Sequence, residues 1–294
     1  MEKNKIKAWV QGSRPFSLPG SAIPVILGAV LALGTDKFHF GYFILTVIAI
    51  VMLQAGVNLL SDHDDFENKV DTEDSFGSSG VIFQGLLSSK ELYIGGMVLL
   101  TIGCLIGLFL TYKRGWFILI LEFIGAMGGY SYTGRPLRLK YRGLGAPLVF
   151  LLFGPLMVIG SYYVQTQSVS ITAILVSIPL GLLTTAILHA NDIRDMDQDK
   201  KAGIKTLSII VGVNNAERIY GLLIIISYVL LLALVVNKII PIWSLICLLT
   251  LPTAYKNLGR LGTFSDIIEL DKETAKLGTQ FGMMFILSML IAFI

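Results

Sequence analysis

Two stretches of the sequence gather acidic residues where a long apolar run ends. The first extends from Asp62 to Asp74 and holds seven acids against one base, Lys69. The second places four aspartates within the eight residues from Asp192 to Asp199. Such crowded carboxylates repel one another unless cations lie between them, and Mg²⁺ commonly joins protein carboxylates to substrate phosphates. The pattern predicts a magnesium and phosphate site, with a solvated charge-rich loop as the alternative for either stretch alone.

Helical spacing selects particular acids from these clusters. Asp62 and Asp65 are at positions i and i+3, and Asp195 and Asp199 are at i and i+4, so each pair shares one face if its helix continues. Asn58 lies one turn before Asp62 and could supply an amide oxygen. Two such faces opposite each other could hold a pair of Mg²⁺ ions with a pyrophosphate between them. Metal-bound pyrophosphate is a good leaving group because its developing negative charge is stabilised.

A phosphate site also needs cationic side chains, and several stand near the acids or at the ends of apolar runs. They are Arg14, Arg135, Arg138, Lys140, Arg142, Arg194, Lys200, Lys201 and Lys205. Some of them should contact phosphate oxygens, arginine through two donors and lysine as a point charge. Arg14 is one such candidate at the start of the first apolar run. Membrane topology alone would also explain many of these bases, so it is the alternative for any single residue.

The composition places these motifs in a membrane protein. Of 294 residues, 54% are hydrophobic and only 15% are charged, and the mean hydropathy is +0.74. Soluble domains typically carry about 25% charged residues. A net charge of +3 is too small to indicate a nucleic-acid partner. We therefore expect an all-α polytopic membrane protein.

The apolar runs define the elements that position the acids. A length of ~20 residues per crossing predicts nine transmembrane helices. Their approximate bounds are 15–34, 40–60, 92–112, 115–133, 145–164, 171–190, 216–236, 239–257 and 277–294. The acidic clusters follow the second and the sixth of these helices. This spacing predicts a single domain over 1–294, built from two four-helix repeats (about 15–133 and 145–257) and a closing ninth helix.

The distribution of basic residues predicts the orientation. Placing the N-terminus and the long polar loops on one side puts 19 of the 23 Lys and Arg there, all except Lys37, Lys113, Arg114 and Lys238. The positive-inside rule makes that side cytoplasmic. The sequence thus predicts a multi-pass protein of the cell membrane with its acidic site on the cytoplasmic side.

Three residues inside apolar runs need separate interpretation. Glu122 is the only carboxylate deep in a predicted span, and intramembrane acids are functional candidates by default. A hydrogen bond to a neighbouring helix is the alternative. Cys104 and Cys247 also lie within apolar runs, where we expect packing rather than a disulfide or a metal site.

Beyond these physical arguments, the chain resembles the UbiA superfamily of intramembrane aromatic prenyltransferases. Within it, the chain is most similar to the 1,4-dihydroxy-2-naphthoate prenyltransferases of menaquinone biosynthesis. The similar strings are RPFSLPGSAIPVILG (14–28), QAGVNLLSDHDD (54–65), YSYTGRPLRLKYRGLG (130–145), FGPLMVIGSYYVQT (153–166), NDIRDMDQDKKAGIKTL (191–207) and TAKLGTQFG (274–282). They run through almost the whole length of the chain.

The resemblance implies a nine-helix bundle that opens sideways to lipid and carries a cytoplasmic cap. It implies Mg²⁺-dependent ionisation of a polyprenyl diphosphate and attack of the allylic cation by an electron-rich aromatic ring. Carried over by position, the catalytic Mg²⁺ ligands are Asp62, Asp65, Asp195 and Asp199. Supporting residues are Asn58 and Asn191, diphosphate contacts are Lys140 and Arg194, and Tyr132 lies near the reacting carbon.

The first motif departs from the superfamily pattern NDxxDxxxD. Ser61 stands where that pattern has Asn, and Lys69 stands where it has the last Asp. Asp71 is the alternative for the third carboxylate of this motif, and the question stays open at the level of the sequence.

Two other functions compete with transfer to a naphthoate. The first is prenyl transfer to another acceptor, such as 4-hydroxybenzoate or homogentisate. The second is a cation-coupled secondary transporter, although transporter sites are expected near the bilayer midplane rather than at helix ends. In the favoured interpretation the partners are a polyprenyl diphosphate, an aromatic acceptor and membrane lipid, and nothing in the sequence indicates a protein partner.

Overall fold

The structure, a computed structural model, describes residues 2–73, 77–262 and 267–293, with side chains from Lys5 onward. Within these ranges every regular element is helical, which confirms the all-α prediction. The helices are α1 (Glu2–Gly12), α2 (Leu18–Ala32), α3 (Phe40–Glu67), α4 (Ser89–Arg114), α5 (Phe117–Ser131), α6 (Gly145–Thr166), α7 (Ile171–Arg194), α8 (Met196–Lys201), α9 (Leu207–Val211), α10 (Val213–Val236), α11 (Leu251–Leu258) and α12 (Leu270–Ile291).

Seven helical segments in the described ranges are long and apolar enough to cross a membrane. They are α3, α4, α6, α7, α10, α12 and the segment Lys5–Thr35, which contains α2. Their hydrophobic side chains largely face outward, as lipid-exposed helices require, because lipid and not a protein core solvates them. The chain is therefore a multi-pass membrane protein.

The other two predicted crossings take different forms. The fourth, predicted over 115–133, is the helix α5, whose 15 residues extend about 22 Å. The eighth, predicted over 239–257, is a 3₁₀ helix of nine residues (Ile242–Thr250) that continues into α11. A 3₁₀ helix rises ~2.0 Å per residue, so these nine residues extend about 18 Å, which is more than nine α-helical residues would. Nine crossings remain a prediction, and the described residues contain seven helical segments of spanning length.

The core of the bundle lies among α2, α7, α10 and α12. Leu27, Leu183, Tyr220 and Phe281 are at most 1% exposed there. Polar pairs between helices add to this packing, such as the hydroxyls of Tyr220 and Thr274 at 2.6 Å. With α7 fixed at the centre, its polar end is held against the first turn of α12 through Arg194 and Asp271.

A close helix crossing joins α2 to α6 at Gly28. A Cβ atom at this position would lie 2.4 Å from the backbone oxygen of Val158 and 2.9 Å from the Cβ of Ser161. The Ser161 hydroxyl also donates to the backbone oxygen of Val25 at 2.6 Å. Only glycine allows this approach, so α2 is locked against α6 just beyond the site.

Gly28→Ala is therefore expected to destabilise the protein by about 1–3 kcal/mol, because the helices must separate. Thermal unfolding of the purified protein in detergent measures the change. Gly20→Ala is the matched control, since it lies on the same helix and its nearest neighbour, Thr184, is 4.0 Å away. Equal melting temperatures for the two variants would contradict the close-packing argument.

Candidate active site

The first acidic motif lies on one face at the end of α3. Asn58, Asp62 and Asp65 are 8%, 2% and 3% exposed, and the helix continues through all three. The intervening Asp64 points elsewhere and accepts a hydrogen bond from Thr133 at 2.9 Å. The predicted shared face of Asp62 and Asp65 is thus present in the structure.

Arg14 reaches Asp62 from a strained turn. It adopts a left-handed conformation with φ 51° just before the short 3₁₀ helix Pro15–Ser17, and its guanidinium forms an ion pair with the Asp62 carboxylate. Asn58 holds this turn, because its amide donates to the backbone oxygen of Ser13 at 2.8 Å and to Ser17 Oγ at 3.0 Å. A left-handed arginine is costly unless its surroundings fix it, and such residues concentrate at functional sites.

Lys140 and Tyr141 reach Asp65 from the loop between α5 and α6. Lys140 Nζ lies 2.9 Å from Asp65 Oδ2, and the Tyr141 hydroxyl donates to Asp65 Oδ1 at 2.5 Å. The backbone N–H of Lys140 donates to the oxygen of Tyr132 at 2.9 Å, which ties the loop to the end of α5. Burial disfavours the ammonium, but the negative charges of Asp65 and Asp199 outweigh it and hold the pKa of Lys140 well above its usual value. Lys140 is therefore a firmly charged cation.

The second acidic motif lies where α7 ends and α8 begins. The helix breaks at Asp195, yet the N–H of Asp199 still donates to the Asp195 oxygen at 2.9 Å. One helical turn therefore separates the two carboxylates, as the spacing predicts. Asp199 is 5% exposed, and Asn191 lies one turn before Asp195.

Arg194 is held by two carboxylates at once. Its Nε and Nη2 donate to Asp195 at 2.7 and 2.8 Å, and its Nη1 donates to Asp271 at 2.6 Å. Asp271 belongs to the first turn of α12, so this buried arginine connects the last helix to the second motif. The structure thus places the predicted phosphate ligand Arg194 between two protein acids.

The loop that follows the first motif touches both motifs. The N–H of Ser79 donates to Asp62 Oδ2 at 3.3 Å, while the oxygen of Ser79 accepts from Gln11 Nε2 at 2.7 Å. At Gly77, an added Cβ would lie 3.0 Å from Asp195 Oδ2 and 3.3 Å from Arg194 Nη2. The backbone of this loop therefore runs directly over the second motif.

The electrostatics of the site join the two motifs. Burial raises the pKa of Asp199 to about 7, against the opposing charge of Lys140, and Asp195, Asp65 and Asp71 add to the rise. Burial and the charge of Asp65 raise the pKa of Asp71 to about 6. Acids from both motifs thus act on one another, with Lys140 between them.

The predicted magnesium ligands are not gathered into a closed cage. Among the described residues, no group of three or more His, Cys, Asp or Glu is arranged to hold a metal ion. Instead, Arg14, Lys140 and Arg194 form ion pairs with three of the four carboxylates, those of Asp62, Asp65 and Asp195. Carboxylate oxygens are the type of ligand that Mg²⁺ prefers. Two further buried oxygens, Asn191 Oδ1 and Asp71 Oδ2, have no hydrogen-bond partner, so the residues present fit a hard cation.

An apolar cavity of about 710 Å³ opens next to this polar end. Five of the predicted residues line it: Arg14, Asn58, Tyr132, Asn191 and Arg194. The four predicted metal ligands and Lys140 lie behind this lining rather than in it. Most of the wall consists of aliphatic side chains and glycines of α2 to α7, among them Leu53, Gly103, Leu121 and Leu156. The site therefore combines a charged mouth with an apolar interior.

Several residues of the site do not stand out in the sequence. Asp271 and Ser79 lie outside the acidic clusters, and Tyr141 was part of the YRGLG string without a role of its own. A carboxylate in the first turn of the last membrane helix was the available signal for Asp271. Asp74, counted in the first cluster, lies outside the described residues. Asp71 is described, and its place among the ligands remains a prediction.

Comparison with known proteins shows the family to which the chain belongs. Residues 21–263 match the UbiA prenyltransferase family. The chain is 29% identical to a 1,4-dihydroxy-2-naphthoate octaprenyltransferase of Bacillus subtilis, over 96% of this chain and 92% of the relative. It is 31% identical to the UbiA prenyltransferase domain-containing protein 1 of Danio rerio, over 99% of this chain and 86% of that protein.

Solved structures share the fold. A UbiA homolog from Archaeoglobus fulgidus, bound to GPP and Mg²⁺, is 17% identical with a TM-score of 0.66, covering 95% of this chain and 99% of that one. A digeranylgeranylglyceryl phosphate synthase gives a TM-score of 0.67 at 18% identity, covering 99% of this chain and 100% of that one. The chain thus belongs to the UbiA prenyltransferase family, and it is a membrane prenyltransferase.

Proposed function

We propose that the protein transfers a polyprenyl group from polyprenyl diphosphate to 1,4-dihydroxy-2-naphthoate, giving demethylmenaquinol for menaquinone biosynthesis. The observation that carries this proposal is the charged mouth on an apolar cavity of about 710 Å³, which suits a diphosphate joined to a hydrocarbon tail. The choice of acceptor is supported by the Bacillus subtilis relative, whose name specifies that acceptor. Other aromatic acceptors of the same superfamily are the second candidates.

The side chains divide into two groups in this proposal. Asp62, Asp65, Asp195 and Asp199 would hold Mg²⁺, with Asn58 and Asn191 in support and Asp71 as a further candidate. The three cationic side chains would bind the phosphate oxygens: Arg14, Lys140 and Arg194. When bound, Mg²⁺ would neutralise charge on the diphosphate. Because the partly buried Lys140 is paired with Asp65, its charge is fixed in place before any substrate arrives.

The apolar wall would serve the carbon chemistry. The C–O bond of the donor breaks with its electron pair leaving on the diphosphate, and a new C–C bond forms to the ring of the acceptor. With a naphthoate, the ring carbon that is attacked loses carbon dioxide and regains its aromaticity. The aliphatic lining excludes water, which would otherwise capture the allylic cation. Tyr132 at the mouth would stabilise this cation through its aromatic ring.

We also propose the arrangement in the membrane. The N-terminus and the charged end of the bundle lie on the cytoplasmic side of the cell membrane, the chain crosses nine times, and two four-helix repeats over 15–133 and 145–257 form one domain with the last helix. The excess of Lys and Arg at this end supports the orientation. The parallel positions of the two acidic motifs, at the ends of α3 and α7, support the repeat.

The test is a turnover assay on the purified full-length protein in detergent. Mg²⁺ and a long polyprenyl diphosphate are supplied with 1,4-dihydroxy-2-naphthoate or 4-hydroxybenzoate in parallel reactions. We expect a prenylated naphthoquinol, and chelation by EDTA should reduce its formation by at least about a hundredfold. Adding Mg²⁺ back should restore the activity.

The possible outcomes separate the parts of the proposal. Product with hydroxybenzoate only would contradict the acceptor and leave prenyl transfer intact. Full activity in EDTA would contradict the metal requirement. If no acceptor is prenylated from any diphosphate, the substrate assignment as a whole is wrong.

A further inference from the structure

Glu122 introduces a carboxyl group into the wall of the apolar cavity. It lies on α5, and its carboxyl packs directly on α4 at Gly107, where an added Cβ would be 2.5 Å from both Cδ and Oε2. The Cys104 thiol, one turn away on α4, is its polar neighbour. The Oε2 atom is buried and has no hydrogen-bond partner. A polar group in such a position is costly, so a function for it is expected.

The position of Glu122 along the cavity is deep. It lies ten residues before Tyr132 at the mouth, which corresponds to about 15 Å along α5. The cavity continues past it for one further turn, to Leu110, Ile118 and Val164. These three side chains form a buried cluster of their own and close the far end. The carboxyl therefore stands just before the apolar floor.

Other polar side chains in the deep part of the lining are already satisfied. Thr46 donates to the backbone oxygen of Tyr42 at 2.7 Å, and Ser161 donates to that of Val25 at 2.6 Å. Hydrocarbon can pack against such hydroxyls without removing a hydrogen bond. Packing against Glu122 is different, because a tail would remove water from the cavity-facing part of a carboxyl group whose buried Oε2 already lacks a hydrogen-bond partner.

We propose that Glu122 determines which isoprenoid tail length the enzyme prefers. This inference rests on the proposed function, in which the tail of the donor diphosphate occupies the cavity. A tail that ends before Glu122 leaves the carboxyl hydrated, whereas a longer tail must cover it or bend away from the floor. Long donors remain substrates, but donors whose tails cover Glu122 react with a lower kcat/KM than donors whose tails end before it.

The experiment compares variants over a series of donors. Glu122→Met replaces the carboxyl by an apolar side chain of similar length, and Glu122→Gln keeps a polar group of the same size. The value of kcat/KM is measured with geranyl, farnesyl, geranylgeranyl and longer prenyl diphosphates, each relative to geranyl diphosphate. For Glu122→Met, this ratio should rise roughly tenfold for the donors that reach the carboxyl. For Glu122→Gln, it should stay within about twofold of the native value.

A substitution at Gly107 changes the same contact from the opposite side. Gly107→Ala would push the flexible carboxyl away from α4 and into the cavity, so the ratio for long donors should fall roughly tenfold. An unchanged donor profile in both Glu122→Met and Gly107→Ala overturns the inference, as does an equal rise in Glu122→Gln and Glu122→Met. If the native enzyme transfers no prenyl group from any donor, the proposed function itself is wrong, and the inference falls with it.

Discussion

Asp62→Asn should lower kcat by at least about a thousandfold in the presence of Mg²⁺. The Asp62 carboxylate is 2% exposed, forms an ion pair with Arg14 and accepts a hydrogen bond from the N–H of Ser79. Its negative charge therefore holds both partners in place at the polar end of the site. Asparagine retains the shape and one acceptor oxygen but removes the charge. The measurement is turnover of the proposed naphthoate acceptor at a saturating concentration of the prenyl donor, and the melting temperature of the variant checks its folding.

Asp64→Asn is the control for this prediction. Asp64 lies on the same helix two residues later, and it accepts a hydrogen bond from Thr133 instead of facing Arg14. We expect its activity to stay within about threefold of the native enzyme. Equal losses in the two variants would show that the local charge of the helix end matters and not the face that carries Asp62. Full activity of the Asp62→Asn variant would contradict the assignment of Asp62 to the active site.

Lys140→Met should weaken binding of the diphosphate by about a hundredfold and reduce kcat as well. Its ammonium is fixed at 2.9 Å from Asp65, and it opposes the charges of acids from both motifs. Methionine preserves the apolar stem and removes only the charge. Without it, Asp65 keeps the Tyr141 hydroxyl as a partner, and the buried acids lose their common cation.

Binding of a non-reactive diphosphate analogue in the presence of Mg²⁺ measures this effect directly. Lys201→Met is the matched control, since Lys201 is an exposed base on α8 near the second motif. Its substitution should change the affinity by less than about threefold. If both lysine variants bind the analogue equally well, Lys140 has only a structural role.

The shared face of Asp62 and Asp65 on α3 was predictable from the sequence because it depends only on local helix geometry. An apolar helix that runs into acids without a Gly or Pro continues through them, and the spacing of Asp62 and Asp65 then decides the face. The same argument predicted one turn between Asp195 and Asp199. The turn is retained although α7 itself breaks at Asp195. The prediction of an all-α polytopic membrane protein likewise followed from the length of the apolar runs.

The partners of these acids were less accessible to sequence reasoning. Arg194 and Asp271 are 77 positions apart, and Tyr141 and Asp65 are 76 apart, so no local rule connects them. Arg14 was a candidate by its position, but its left-handed turn and the support from Asn58 depend on the packing of α2 against α3. The 3₁₀ form of Ile242–Thr250 was equally hidden, because an apolar run does not reveal its rise per residue.

The shortness of α5 has a consequence for where the reaction occurs. The helix begins next to the exposed Trp116 and Tyr112, with Lys113 over the Tyr112 ring at 5.1 Å, an aromatic and basic group typical of a membrane interface. From that interface α5 extends only about 22 Å towards Tyr132, whereas the hydrocarbon layer is ~30 Å thick. In the proposed membrane arrangement, Tyr132 would therefore lie about 8 Å below the opposite edge of the hydrocarbon layer. In the proposed reaction, a lipid-dissolved donor would then reach Tyr132 by moving sideways at its own depth in the leaflet, without being lifted into water.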